Sequence, residues 1–241
     1  MNKPDAYRRG ATAVADHLAR CGVPGTVESG AFPGVYRIHR AITGRPRVSV
    51  ILPTRGSRGR VWGVERIFAH QAIESLLRAG DNCDLEIVAV IDDGTDPLVE
   101  RGLRRIVGDE LVVVPYDRPF NFAEKINLGV AASTGDYLLM LNDDTELILP
   151  GSLDEMVAIA QDPTIGMVGA KLLFDDGRLQ HGGHVYNGMI SHALLDWPGD
   201  HPGPYRLLCV ERECAGVTAA AALVRREVFD AVGGMNEDFA V

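Results

Sequence analysis

Three short stretches of this 241-residue chain place oxygen donors where apolar runs stop. Asp143 and Asp144 follow YLLML (137–141), Asp92 and Asp93 follow LEIVAVI (85–91), and Pro53, Thr54 and Arg55 follow VSVIL (48–52). Adjacent carboxylates repel, and in a half-buried place each raises the other's pKa unless a cation lies between them. Their hard oxygens suit Mg2+ or Mn2+. A carboxylate pair at a second strand end can accept hydrogen bonds from a base or ribose, so the set could grip a nucleoside diphosphate through a divalent metal. Neutralising the charge that develops on the diphosphate as a bond breaks makes it a better leaving group.

Each stretch also has a plainer reading. Asp92-Asp93-Gly94 can be an ordinary turn, since Asp-Gly pairs favour turns. Asp143 and Asp144 can be a solvated loop or a helix-capping acid, and Pro53 to Gly56 a turn with a solvated arginine. It is the recurrence of acid at successive strand ends that favours a ligand site. His181 and His184 form an H-x-x-H pair, but Gly182 and Gly183 favour a loop over a helix that would fix ligand geometry. A structural or acceptor-side role is expected for them, and His192 stays open. Lys125 and Asn127 lie on a helix facing the sheet end, where a core or surface role is as well supported as a donor contact.

The elements that must position these residues alternate along the chain. After a short helix over 5–21 comes a Gly/Pro-rich arm with one extended piece, so that residues 1–46 precede a main domain over 47–241. Strand 48–52 is followed by a helix whose apolar positions are Val64, Ile67, Phe68, Ile73, Leu76 and Leu77, closed by Gly80. Strand 85–91, a helix near 98–107, strand 111–114, a helix near 123–132 and strand 137–141 follow. Ser152 and Glu155 read as a capping box for a helix through Ile159, ahead of strands 165–170 and 217–224 and a last short helix ending at Gly233. Continuous apolar strands alternating with helices predict an α/β fold, a mostly parallel Rossmann-like sheet covered on both faces. In such sheets ligands sit beyond the carboxyl ends of the strands, where the acids are.

Bulk properties narrow the options. A net charge of -9 works against binding nucleic acid or anionic lipid. Cys21, Cys83, Cys209 and Cys214 lack C-x-x-C spacing, so reduced thiols in a cytoplasmic protein are expected. Neither a signal-peptide apolar region nor an apolar run of about 20 residues occurs, so no integral membrane segment is expected.

Taken in order, VSVILPTRG, VIDDGT, FNFAEKINLGVAASTGDYLLMLNDDTE, GRLQHGG and VTAAAALVRREVFDAVGGMNEDF resemble inverting family 2 glycosyltransferases of the GT-A fold, nearest the bacterial branch that builds cell-surface polysaccharides. The resemblance covers nearly the whole chain, and the arm at 24–47 also resembles a segment preceding the catalytic domain in some of these proteins. It implies that Pro53, Thr54 and Arg55 line the donor nucleotide, that Asp92 or Asp93 bonds its base or ribose, and that Asp143 lies beside the ribose or sugar. Asp144, last acid of a D-x-D-like triplet, would hold Mn2+ or Mg2+, while Asn142 stands where many relatives have Asp. The implied partners are a nucleoside-diphosphate sugar and a glycan or lipid-linked acceptor, met in the cytoplasm or peripherally at the inner membrane face. In the family an acidic motif just after the strand and helix at 217–234 supplies the general base. Glu237 and Asp238 precede that position, so the base is expected beyond Val241 and this stretch alone is expected to bind donor better than it transfers sugar.

Rival chemistries fit less well. A haloacid-dehalogenase-like phosphatase needs Asp as nucleophile where Ile91 stands. The first loop, PTRGSRGR, lacks the pattern of a sugar-nucleotide pyrophosphorylase, and no G-x-G-x-x-G follows the first strand. A nucleotide-sugar-binding module without turnover is the remaining non-enzyme alternative.

Overall fold

The computed structural model describes residues 4–79 and 82–239, so Gly80, expected to close the second helix, lies outside the described residues. Helix α1 (Pro4–Arg20) leads into the hairpin strands β1 (Gly25–Ser29) and β2 (Tyr36–Arg40). Next come β3 (Arg47–Thr54), β4 (Arg58–Val61), β5 (Val64–Ile67), α2 (Phe68–Ala79), β6 (Asp84–Asp92), α3 (Pro97–Val107) and β7 (Leu111–Tyr116). They are followed by α4 (Phe122–Ala131), β8 (Tyr137–Leu141), α5 (Ser152–Ala160), β9 (Met167–Gly169), β10 (Leu172–Leu173) and β11 (Leu179–His181). The hairpin of β12 (His184–Tyr186) and β13 (Ile190–His192), then β14 (Ala221–Arg225) and α6 (Arg226–Ala231), complete the strands and α-helices among the described residues. Two compact units result: one from residues up to Ala41 with Ala170–Thr218, the other from Ile42–Gly169 with Ala219 onward.

The second unit holds a six-stranded sheet in the order β7, β6, β3, β8, β14, β9. The first four strands run parallel, and β14 runs antiparallel between β8 and β9. The parallel part follows from composition: Val48, Val50, Ile51 and Leu52 on β3 and Ile87 to Val90 on β6 are all buried, as strands covered on both faces must be. Gly129 lets α4 lie close on this sheet, because a Cβ there would stand 2.5 Å from Ile51 Cγ2.

Four sequence expectations are corrected. Val64 and Ile67 belong to β5, not to the helix, which begins at Phe68. A two-residue turn at Trp62 (φ 51°) and Gly63 (φ 80°) pairs β5 with β4, and two consecutive positive φ values are what a tight type I′ hairpin requires. The arm holds two paired strands rather than one extended piece. The last strand is shorter than expected, since 217–220 precede it. No capping box forms at Ser152: Gly151 (φ 76°) takes the N-cap, and the Ser152 hydroxyl donates instead to Leu149 O at 2.7 Å.

At the amino ends of the strands, away from the acidic loops, a buried carboxylate ties three elements together. Glu86 accepts from the Ser49 hydroxyl, from the Thr134 N–H at 2.7 Å and hydroxyl at 2.9 Å, and from Arg47. Burial pushes its pKa up, yet these donors outweigh burial and hold the group below its ordinary 4.5. Its stabilisation is therefore present above the usual carboxylate range and lost as pH falls through the lowered folded value. Glu86→Ala leaves Ser49 and the Thr134 N–H without their acceptor and should cost on the order of 3 kcal/mol in denaturant unfolding at pH 7, with a smaller difference at acid pH. An unchanged midpoint would show the network to be dispensable.

Candidate functional site

The chain steps from β3 to β6 to β7 on one side, then returns through α4 to place β8 on the other flank of β3. That reversal falls at the carboxyl ends of β3 and β8, the usual ligand position in an open α/β sheet. Thr54 closes β3 there. Its buried hydroxyl donates to Asp143 Oδ2 at 2.6 Å and accepts the Gly56 N–H at 2.9 Å. Gly56 (φ 75°) is needed for this tight exit: a Cβ would meet Val99 Cγ2 at 2.6 Å and Thr95 Cγ2 at 2.9 Å. Pro53 is half-buried within β3, whereas Arg55 is exposed, its Nε 3.3 Å from Ser57 Oγ.

The next strand end contributes Asp92, which forms an ion pair with Lys125 of α4. Lys125 is only 2% exposed, and its ammonium also lies over the rings of Tyr116 (5.0 Å) and Phe120 (5.1 Å). Aromatic faces and a carboxylate together offset the desolvation of a buried cation. Asp93 sits on an exposed turn through Gly94, with its N–H bonded to Tyr116 O at 2.7 Å. The backbone of this stretch makes the turn, while Asp92 pairs its charge with Lys125.

Asp143 is the electrostatically loaded member. Burial raises its pKa and adjacent Asp144 raises it further; the hydrogen bond from Thr54 and the charges of Lys125 and Arg55 pull the other way without cancelling the rise. Asp144 is exposed beside it. An Asp143 carboxylate that is costly to ionise, with the exposed hard oxygens of Asp144 beside it, suits a divalent cation that takes its remaining ligands from phosphate and water. Glu146, the next acid, is engaged elsewhere: one oxygen accepts from Trp62 Nε1 and the other from Gln71 Nε2, both at 2.8 Å.

Parallel pairing thus brings Pro53, Thr54, Arg55, Asp92, Asp93, Asp143 and Asp144 to one edge, with Lys125 acting on both Asp92 and Asp143. Sequence reasoning underweighted Lys125. The available signal was a lysine among helix positions that are otherwise buried, Ala123, Ile126 and Val130, just after the aromatic Phe120 and Phe122. Asn127, also left open, clamps the segment after α6. It donates to Met235 O and Glu237 Oε1, both at 2.8 Å, and accepts from the Met235 N–H at 2.9 Å.

Comparison with known proteins identifies the family and the fold. A family profile described as Glycosyl transferase family 2 matches residues 49–233. Uncharacterized protein y4gI of Sinorhizobium fredii is 38% identical over 240 residues, covering 98% of this chain and 26% of that protein. The O-antigen biosynthesis protein RfbC of Myxococcus xanthus is 34% identical over 239 residues, 98% of this chain and 18% of that protein. This chain therefore spans about a quarter or less of the curated relatives it matches. Among solved structures, the mannosyltransferase PcManGT of Pyrobaculum calidifontis, in complex with GDP-Man and Mn2+, superposes with a TM-score of 0.56 at 18% identity, over 97% of this chain and 57% of that one. The shared architecture is the GT-A fold.

Proposed function

The chain belongs to glycosyl transferase family 2, and from that membership we propose that its acidic rim binds a nucleoside-diphosphate sugar with a divalent cation and presents the sugar for inverting transfer to an acceptor hydroxyl. The observation that carries the proposal is the Thr54–Asp143 hydrogen bond at the reversal of strand order, with Asp144 exposed beside it. RfbC, which assembles O-antigen by name, supports a glycan or lipid-linked acceptor in cell-surface polysaccharide synthesis, and the PcManGT complex supports the pairing of donor and metal.

Each residue's part follows from its position. Asp144, with the Asp143 oxygen that Thr54 leaves open, would hold Mn2+ or Mg2+. When bound, that ion supplies charge neutralisation to the departing diphosphate. Pro53 and Thr54 shape the floor for the nucleotide, and exposed Arg55 offers it a positive charge. Asp92 and Asp93 accept hydrogen bonds from base or ribose, while the ion pair with Lys125 orients Asp92. In-line attack by the acceptor hydroxyl would then invert the anomeric centre, with a base taking its proton. No helix among the described residues is long and apolar enough to cross a membrane, so the chain's own part in reaching a lipid-linked acceptor would be peripheral.

A donor screen tests this reading. Thermal unfolding with UDP-, dTDP- and GDP-sugars, each with and without Mn2+, should show a metal-dependent rise for one nucleotide class; at ligand 100-fold above Kd the stabilisation is about 2.7 kcal/mol. Absence of a shift with all three classes would sink the proposal.

A further inference from the structure

Among the described residues, one set of three or more metal-capable side chains converges, and it lies in the unit that does not contain the acidic rim: His181, His184 and His192. One nitrogen from each ring lies within 4.8 Å of the other two. The ring centroids form a near-equilateral triangle of 4.9, 4.9 and 5.0 Å, all edge-to-face. His181 ends β11, His184 opens β12 and His192 ends β13, directly opposite His184 in the register of that hairpin. The backbone fixes the frame: the His184 N–H bonds Gly216 O at 2.8 Å, and the Ala193 N–H bonds Gly183 O at 2.9 Å. His181 is buried, and its Nδ1 lies 2.7 Å from His192 Nδ1.

We propose that these three histidines bind a divalent transition-metal ion, zinc foremost, with the fourth position open to water or an anion. Three borderline-soft imidazoles exclude Mg2+ and Ca2+ as natural occupants and suit zinc, which takes three protein ligands plus one exchangeable ligand. The alternative occupant is a proton: with His181 Nε2 accepting from Thr218, its Nδ1–H donates to His192 Nδ1 at 2.7 Å, and an ion would replace that proton and part the two nitrogens slightly. Burial and the neighbouring imidazoles pull His181 down to about 4 and His184 downward as well, so the lone pairs are available at neutral pH. Ligation through His181 Nδ1 would reverse the tautomer that accepts the Thr218 N–H at 3.3 Å, a weak contact whose loss is small. Arg212, which bonds Gly182 O and acts on His181 electrostatically, adds positive charge near a site of neutral ligands, which favours an anion or hydroxide as the fourth ligand.

The surrounding unit supplies an independent reason for such an ion. Its buried apolar side chains among the described residues are Leu18, Val35 and Leu179, and its sheets are all two-stranded. Isolated hairpins are marginal in water, and units short of core are commonly fastened by metal or disulfide. Here the cysteines are free, and Cys214, although near Gly183, does not join the histidine set. Zinc would fasten β11 to the β12–β13 hairpin.

Elemental analysis of the protein purified without a polyhistidine tag should give about one zinc, or another transition metal, per chain. Cobalt titration of the metal-stripped protein should yield the visible absorption of a four-coordinate site. His184→Ala with His192→Ala should lower the bound metal at least tenfold, whereas Cys214→Ser and Asp144→Ala should leave it unchanged, which separates this site from the acidic rim. A chelator should lower the melting temperature of the native chain and not of the double variant. If the double variant fails to fold, chelator competition on the native protein decides alone. Metal held no more tightly than about micromolar, octahedral cobalt spectra, or loss of metal in Asp144→Ala with retention in the double variant would each overturn the proposal.

Discussion

Lys125→Met should destabilise the chain by about 2–4 kcal/mol in denaturant unfolding at pH 7, although methionine fills nearly the same volume and is the more hydrophobic residue. Replacing a whole ion pair with apolar groups is often harmless, but removing one partner strands the other charge. Here the stranded group is Asp92, at a strand end and 24% exposed, so water recovers part of the loss and the cost falls about 1 kcal/mol below the usual range of about 3–5 kcal/mol. The cation–π contacts with Tyr116 and Phe120 disappear at the same time. A second consequence falls on Asp143, which loses one of the charges holding its pKa down and becomes harder to ionise. Adding Asp92→Asn to Lys125→Met should restore much of the stability, because the double variant has no unpaired charge. That coupling, read from a double-mutant cycle, distinguishes an electrostatic role from simple packing. A single variant as stable as the native chain, or a double variant showing no recovery, would remove Lys125 from the account.

The parts of this architecture that sequence made legible share one physical property: their signal is local. YLLML at 137–141 forms β8 at those residues because a continuous apolar run can only be a strand covered on both faces or a buried helix, and five residues followed by Asn-Asp-Asp is too short for the helix. The strand ends bearing Thr54, Asp92 and Asp143 followed from the same reasoning. What escaped was set by pairing across distance. Val64, Ile67 and Phe68 sit at helical spacing, yet the first two face solvent or lie half-buried on a hairpin whose turn depends on a positive φ at Trp62. Gly182-Gly183 argued against a ligand pair at His181 and His184, but the third ring arrives from His192 across the β12–β13 register, which no spacing rule reveals. Lys125 was ambiguous for the same reason, since its partner Asp92 is 33 positions away along the chain. Likewise the Asn127 clamp reaches residues more than a hundred positions later.

Asp144→Ala should weaken metal-dependent donor binding by at least about 100-fold, because even partners one bond removed from a metal typically cost 10–100-fold. Its exposed side chain leaves the fold intact, so Mn2+ titration by calorimetry should report the loss at unchanged melting temperature. Asp143→Asn carries the sharper expectation, since function and stability should move in opposite directions. The Asp143 carboxyl has its folded pKa raised above the ordinary 3.8, first by burial and then by Asp144. A raised carboxyl binds its proton more tightly in the folded chain, so its stabilisation is fully present at low pH and is lost as pH rises through the folded value. At pH 7 without metal the ionised group therefore works against folding. Asparagine keeps an oxygen to accept the Thr54 hydroxyl and removes the charge, so the metal-free variant should melt at or above the native temperature while its Mn2+ response disappears. For the same reason the native chain's Mn2+ affinity should fall on acidification, beginning at higher pH than an unperturbed aspartate would give. A variant that melts lower at pH 7, or that keeps native Mn2+ affinity, would mean that Asp143 is structural and that the cation, if one binds, is held by other oxygens.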